Sequence, residues 1–544
     1  MSLPWCWLHR QVETAEDGVV WLARRVAERC TTPQMLDRSF RDELAPVLAS
    51  LGPVARGRYA KLLAPVFNVA ARDLRGALEA DLRPTQTLKG RSSSPPPTDQ
   101  AADKDSDRCP ADGEIVLTKR GTERLRRTRD GEAVVGKVIF TGHLKPLKRV
   151  RLSDVGELMV GEIRCPERGI AEQVTLPPDA WEARSRFKGS LPSMDFAWYG
   201  TDDELQAFML HLSREPCPRV RGERVLGIHP LDGGWACVFT DRTVLPDGTS
   251  TSELIHFSEG DTGFLWELGE ALAAPRREDL QGFSAHILEF NATGKAASIV
   301  GWLMALPFKA RLSARVTAEF PILFAWGPRG SGKSQYQEQL ALRFYSGGQT
   351  VPKKLDDLTA FTHLLSASAS NLVPWCIDEY KGRGVAMDSR HEVQLSSTLR
   401  RAYNQLEGSR GNKDGRTLKR YRAVAPIFLA GEDNITEPAV LERVVEVFLS
   451  TASRAGKREH WQALQGVNLE AVGLDYVRWS LTVSDGRMRE VFQAAQVDID
   501  RRLADRLRHN AAVMVFGLRM LGLYLEQRDV PIPQLALRAY EEEA

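Results

Sequence analysis

Cysteine is scarce in this chain: seven among 544 residues, at Cys6, Cys30, Cys109, Cys165, Cys217, Cys237 and Cys376, with no C-x-x-C pair. An odd, scattered set predicts reduced thiols and argues against a disulfide framework or a zinc site. No apolar run reaches the roughly 20 residues of a membrane span. The most apolar charge-free stretch, Ala296 to Phe308, is too short and predicts a buried helix. Leu358 to Ile377 is also charge-free, but its threonines and serines, His363 and Asn371 make it too polar to span. The apolar N-terminus has no basic start ahead of it, so no signal peptide and no membrane partner are expected, and a cytoplasmic location follows. An excess of one charge is missing too. Lysine and arginine number 73 against 71 aspartates and glutamates, a net of +2, so affinity for a polyanion must come from local patches.

What is present is an ordinary globular composition, 43% hydrophobic and 26% charged, over a length that predicts about three or four domains. Residues 1–84 carry helical periodicity, as in Val19, Leu22, Ala23 and Val26. Residues 85–112 are rich in serine, proline and charge and predict a flexible linker. From 113 to 280, short β-branched runs between glycine and proline turns predict a mixed β-rich domain: Ile115 to Leu117, Val134 to Thr141, Leu158 to Arg164, Val225 to His229 and Ala236 to Thr240. One helix inside it is signalled by the capping-box spacing of Thr201-Asp-Asp-Glu204. Strands and helices then alternate as in a parallel α/β sheet, over a domain of residues 281–455 with a helical lead-in. Residues 456–544 predict a helical C-terminal region.

The strongest motif is Gly327-Pro328-Arg329-Gly330-Ser331-Gly332-Lys333-Ser334, a full match to G-x-x-x-x-G-K-[ST]. Glycines let backbone N–H groups curl toward phosphate oxygens, Lys333 reaches the β and γ phosphates, and Ser334 offers a hydroxyl to Mg2+. The apolar run Pro321 to Trp326 precedes it and a helix-forming segment comes after it, the strand–loop–helix context the chemistry needs. ATP and Mg2+ are the expected cofactors, and the fold class is α/β with a P-loop NTPase sheet. A second run, Asn371 to Ile377, ends in Asp378-Glu379. A strand-end position at the carboxyl edge of a parallel sheet suits Asp378 as the metal partner and Glu379 as the base that polarises water. A third strand, Ala425 to Ala430, is expected between these two in space, with Glu432 or Asn434 as the polar residue sensing the γ-phosphate. Arg443 stands just before the apolar run Val444 to Phe448; in ring-forming ATPases such an arginine stabilises transition-state charge in the adjacent subunit.

Two segments concentrate positive charge. Arg400 to Arg422 holds eight basic residues against two acidic ones around the turn dipeptide Asp414-Gly415. A β-hairpin there would set Lys413 and Arg416, with Lys419 and Arg420, against a phosphate backbone. Lys119 to Arg151 holds eleven basic residues against three acidic ones, but few aromatics that would stack on bases.

The order of Gly327 to Ser334, Trp375 to Glu379, a basic hairpin, Pro426 to Glu432 and Glu442-Arg443-Val-Val resembles the AAA+-like ATPase domain of phage, plasmid and mobile-element primase-helicases, related to superfamily 3 replicative helicases. The resemblance implies homo-hexameric rings that hydrolyse ATP between subunits and move on single-stranded DNA by the hairpin. It departs at the sensor, where superfamily 3 prefers asparagine at the strand end and this chain has Gly431-Glu432. Leu63 to Leu78 more faintly resembles the helical segment after the catalytic core of bacterial-type primases, yet no zinc cluster or nucleotidyl-transfer motif precedes it. A separate primase or replication protein is therefore an expected partner. The sequence supports an ATP-dependent DNA helicase or translocase. Two other uses of the same motor stay open: a defence or signalling ATPase switch, and an ATP-assembled DNA-binding initiator that does not unwind.

Overall fold

The computed structural model describes residues 113–128, 134–258, 266–268, 274–381, 389–411, 418–535 and 538. The chain divides into two compact units, Met1–Asp107 and Arg108–Ala544. The helical domain and linker expected over residues 1–112 lie outside the described residues, as do Lys413 and Arg416.

The second unit begins with a β-rich part. Strands β1 (Ile115–Thr118), β2 (Gly121–Arg127) and β3 (Val134–Phe140) form an antiparallel sheet. Strands β4 (His143–Leu152), β5 (Gly156–Cys165) and β6 (Ile170–Leu176) come next, then helix α1 (Asp202–Arg214) and β7 (Arg219–Glu223). A four-stranded meander is added by β8 (Gly227–Leu231), β9 (Gly234–Val238), β10 (Thr243–Val244) and β11 (Ser250–Thr251). Strand β12 (Leu254–His256) completes a sheet of order β12-β7-β4-β5-β6. The capping box at α1 forms: Thr201 Oγ1 accepts from the Glu204 N–H and Glu204 Oε2 accepts from the Thr201 N–H. Glu204 is fully buried, and it also accepts from Arg126 at 2.6 Å and Lys137 at 3.0 Å. Arg149 caps the other end of α1, donating to the Leu212 and Ser213 carbonyls. Three residues of the basic run Lys119 to Arg151 are thus engaged in holding this part together.

The second part opens with α2 (Arg277–His286), α3 (Thr293–Ala305) and α4 (Lys309–Arg315) and then builds a parallel sheet. Its strands are β13 (Ile322–Trp326), β14 (Lys353–Lys354), β15 (Trp375–Tyr380), β18 (Ile427–Gly431) and β19 (Val444–Phe448), in the order β14-β15-β18-β13-β19. Between them lie α5 (Ala360–Ala367), α6 (Ser389–Tyr403) and the antiparallel hairpin of β16 (Glu407–Gly411) and β17 (Leu418–Arg422). The central strands β13 and β18 are apolar on both faces, as strands covered on both sides must be. Leu323, Ala325, Phe428 and Val447 face a core shared with α3 and the C-terminal helices, whereas Ile322, Phe324, Ile377 and Leu429 face α5 and α6. Ala296 to Phe308 is buried, as its composition predicts.

The third part is helical: α7 (Arg458–Gly466), α8 (Leu469–Thr482), α9 (Asp485–Asp498) and α10 (Asp505–Gln527). Among the described residues no helix is long and apolar enough to cross a membrane. Beyond this shared core, two polar connections help to fix the parts together. Buried Arg311 of α4 donates to Asp485 and to the Ser480 and Val483 carbonyls, and Trp235 of β9 donates to the same Asp485. Asn371, just ahead of β15, accepts from the Ile228 N–H and donates to the Ile228 carbonyl, both at 2.8 Å, while Leu226 exchanges backbone bonds with Ala369 and Asn371.

Candidate active site

All strands of the parallel sheet end at one edge, where the loop succeeds β13, the acid pair closes β15 and Glu432 succeeds β18. The strand carrying Glu432 lies between the other two. Gly327 leaves β13 with φ 143°, and a Cβ on it would lie 2.0 Å from the Leu449 carbonyl oxygen, so only glycine fits. Gly330 (φ 81°) and Gly332 (φ 97°) keep the loop curled, and Gly332 caps the helix over residues 333–346. That helix is α-helical at Lys333–Tyr336 and Arg343–Ser346, with a π-helical turn at Gln337–Leu342 between. Within the turn, buried Gln337 donates to the Ile377 and Phe428 carbonyls and so pins the helix to β15 and β18.

Lys333 is buried beneath the loop, donating to the Gly327 carbonyl at 2.7 Å and the Pro328 carbonyl at 3.0 Å. Burial lowers its pKa, against the opposing pull of Glu432 and Asp378. Ser331 is fully buried, whereas Pro328, Arg329 and Gly330 are exposed at the loop tip. Ser334 Oγ donates to Asp378 Oδ2 at 2.6 Å. Asp378 Oδ1 accepts from the Glu379 N–H. Glu379 itself has φ 63°, a left-handed conformation unusual for a residue with a side chain, at a register shift between β15 and β18. Its carboxylate pairs with Lys354 of β14 at 2.8 Å, which holds its pKa below the usual carboxylate value.

Of the remaining sequence-derived residues, Glu432 stands at this edge, close enough to act on Lys333, and Arg443 stands at the far end of the sheet. Glu432 is exposed, while Asn434 keeps its Oδ1 buried without a hydrogen-bond partner. Arg443 lies at the opposite end of the sheet from the loop: its neighbour Val444 is level with Ile322, at the start of β13. Its guanidinium donates to the Ala439 carbonyl and stands 5.7 Å from the centre of the Tyr403 ring. Arg420 is exposed and pairs with Glu407 at 3.6 Å; Lys419 occupies the β17 position opposite Arg410.

Two residues at the same edge are not apparent from sequence. Lys354 ends a strand of only two residues, too short to register as one. Arg454 succeeds β19 in a turn pinned by mutual Ser450 and Ser453 hydrogen bonds. It reaches the loop with two long bonds, to the Gly330 carbonyl at 3.4 Å and to Gln335 Oε1 at 3.3 Å. The signal for it is an arginine just past the carboxyl end of the last apolar strand, whereas Arg443 stands at the amino end of that strand.

The arrangement fits a polyphosphate bound with a divalent cation. Two cations, Lys333 and Arg454, flank a loop whose glycines leave no side chain in the way, and a hydroxyl and a carboxylate converge beside it. No family model matches the chain, and no curated protein matches it. A solved structure described as "SCCmec type IV Cch - active helicase" aligns over 78% of this chain and 76% of that chain, at 16% identity and a TM-score of 0.45.

Proposed function

We propose that this chain is an ATP- and Mg2+-dependent DNA helicase or translocase of a mobile genetic element, working in the cytoplasm as a homo-hexameric ring on single-stranded DNA. One observation carries the reading: the 2.6 Å bond from Ser334 Oγ to Asp378 Oδ2, beside a glycine loop with its lysine buried beneath. Shared ligation of one divalent cation asks for that pairing, a helix-start hydroxyl and a strand-end carboxylate two strands away. When bound, Mg·ATP supplies the phosphoanhydride bond whose hydrolysis drives movement. Lys333 gives up its loop carbonyls to hold the terminal phosphates. Ser334 and Asp378 hold the cation, Glu379 orients and polarises the attacking water, and Glu432 or Asn434 reports the state of the site to β18. Arg443 serves a neighbouring subunit. Lys413 and Arg416, with Lys419 and Arg420, track the DNA backbone along the hairpin, and a separate primase or replication protein is the partner.

The test is ATP hydrolysis with and without single-stranded DNA. DNA should stimulate the wild type, and Lys333→Ala should lower the rate at least a hundredfold. Hydrolysis indifferent to both DNA and the substitution would sink the reading.

A further inference from the structure

The hairpin meets the body of the protein through a small aromatic and cationic cluster to which the motor reading gives no role. Its register sets Gly408 opposite Tyr421 and Arg410 opposite Lys419. Side chains alternate along a strand, so Gly408, Arg410 and Tyr421 share one face of the hairpin. That face lies against α5. A Cβ on Gly408 would stand 2.5 Å from Leu364 Cδ2, so the bare backbone admits the helix. The Arg410 guanidinium lies 4.1 Å from the centre of the Phe361 ring. Tyr421 meets that ring edge to face, with centroids 6.0 Å apart and planes at 82°. Phe361 and Tyr421 are half-buried and Arg410 is exposed, as is Arg401, whose guanidinium lies on the Gly408 face.

Anchoring a hairpin on a helix calls for apolar contact, which Leu364 supplies. It does not call for a guanidinium laid over an aromatic ring at the water boundary, where such a pair adds little to stability. A planar cation stacked on a ring does present a flat surface, here beside a further arginine, Arg401. An unpaired base stacks on such a surface; a base inside a duplex has both faces covered and cannot. We propose that Phe361, Arg410 and Tyr421 form a stacking platform for a nucleobase of single-stranded DNA, with Arg401 beside it for a flanking phosphate. The platform rests on the helicase reading and deepens it, placing a base contact at the root of the hairpin.

The test compares the binding of full-length protein, with Mg2+ and a non-hydrolysable ATP analogue, to an oligothymidine strand and to the same strand made abasic. The wild type should prefer the strand with bases by about tenfold or more. Phe361→Leu keeps an apolar side chain against Leu364 but removes the ring, and should bind both strands at the abasic level; Phe361→Trp should restore the preference. Equal wild-type affinity for the two strands overturns the platform, whatever the variants do. DNA-stimulated hydrolysis without base preference removes the platform alone. No binding and no stimulation removes the helicase reading as well.

Discussion

Glu379 is the residue whose chemistry depends most on its neighbour. Lys354 holds its carboxyl below the ordinary value by a hydrogen bond and by charge, so Glu379 stays ionised to lower pH than an isolated glutamate would. Both side chains are well exposed, so solvent screens the pair and the effect is small. Replacing Lys354 with Met should therefore move the acid limb of the kcat–pH profile upward, toward the usual carboxylate range, by less than about one unit. A limb that stays put, or moves down, would show that Glu379 does not set it. Arg454 makes a second residue-scale test. A charge-assisted bond to phosphate is worth about 1.5–3 kcal/mol, so Arg454→Ala should raise the KM for ATP roughly tenfold or more. Unchanged steady-state constants would confine Arg454 to supporting the loop. The loop residues are legible in the sequence because each is demanded by one chemical group, whereas Lys354 and Arg454 reach the site only through the strand order.

Among elements, the crossing of α3 and α10 is very tight. A Cβ on Gly517 would lie 1.8 Å from the Gly301 carbonyl oxygen, and one on Gly301 would lie 2.4 Å from that of Met514. Two helices this close leave no room for a methyl group, so Gly517→Ala should cost about 2 kcal/mol or more, read from the denaturant midpoint. A midpoint that does not move would mean that the helices separate freely. Elements differ in how plainly their residues announce them. Strands β13 and β18 are continuous apolar runs, and β15 opens as one before its acid pair, so all three are readable as buried strands. Strand β4 is not: Leu144, Pro146, Val150 and Leu152 are buried, but Lys148, beside a register shift after Pro146, interrupts the apolar series, and Lys145, Arg149 and Arg151 alternate with it. The same charges that hide the strand suggest a nucleic-acid patch, though Arg126, Lys137 and Arg149 turn out to brace α1.

At the scale of the whole molecule, Arg443 can reach a phosphate site only if copies of the chain meet. Val444 and Phe448 are level with the two ends of β13, and four residue steps at about 3.3 Å put Arg443 well over 10 Å from its own loop. An arginine serving the next subunit makes a distinctive prediction. Arg443→Ala and Lys333→Ala should each abolish hydrolysis alone, yet a mixture should recover part of it, because some interfaces then join an intact Lys333 to an intact Arg443. Mixtures no more active than the separate variants would return Arg443 to packing against Tyr403. The clamp at Asn371 has a mechanical side. Residues 226–228 are bonded to residues 369–371 at the root of β15, the strand that ends in Asp378 and Glu379. The β-rich part is therefore not hung on a slack tether. Through this clamp, a pull on the β-rich part would be felt at the root of the strand that carries the acid pair.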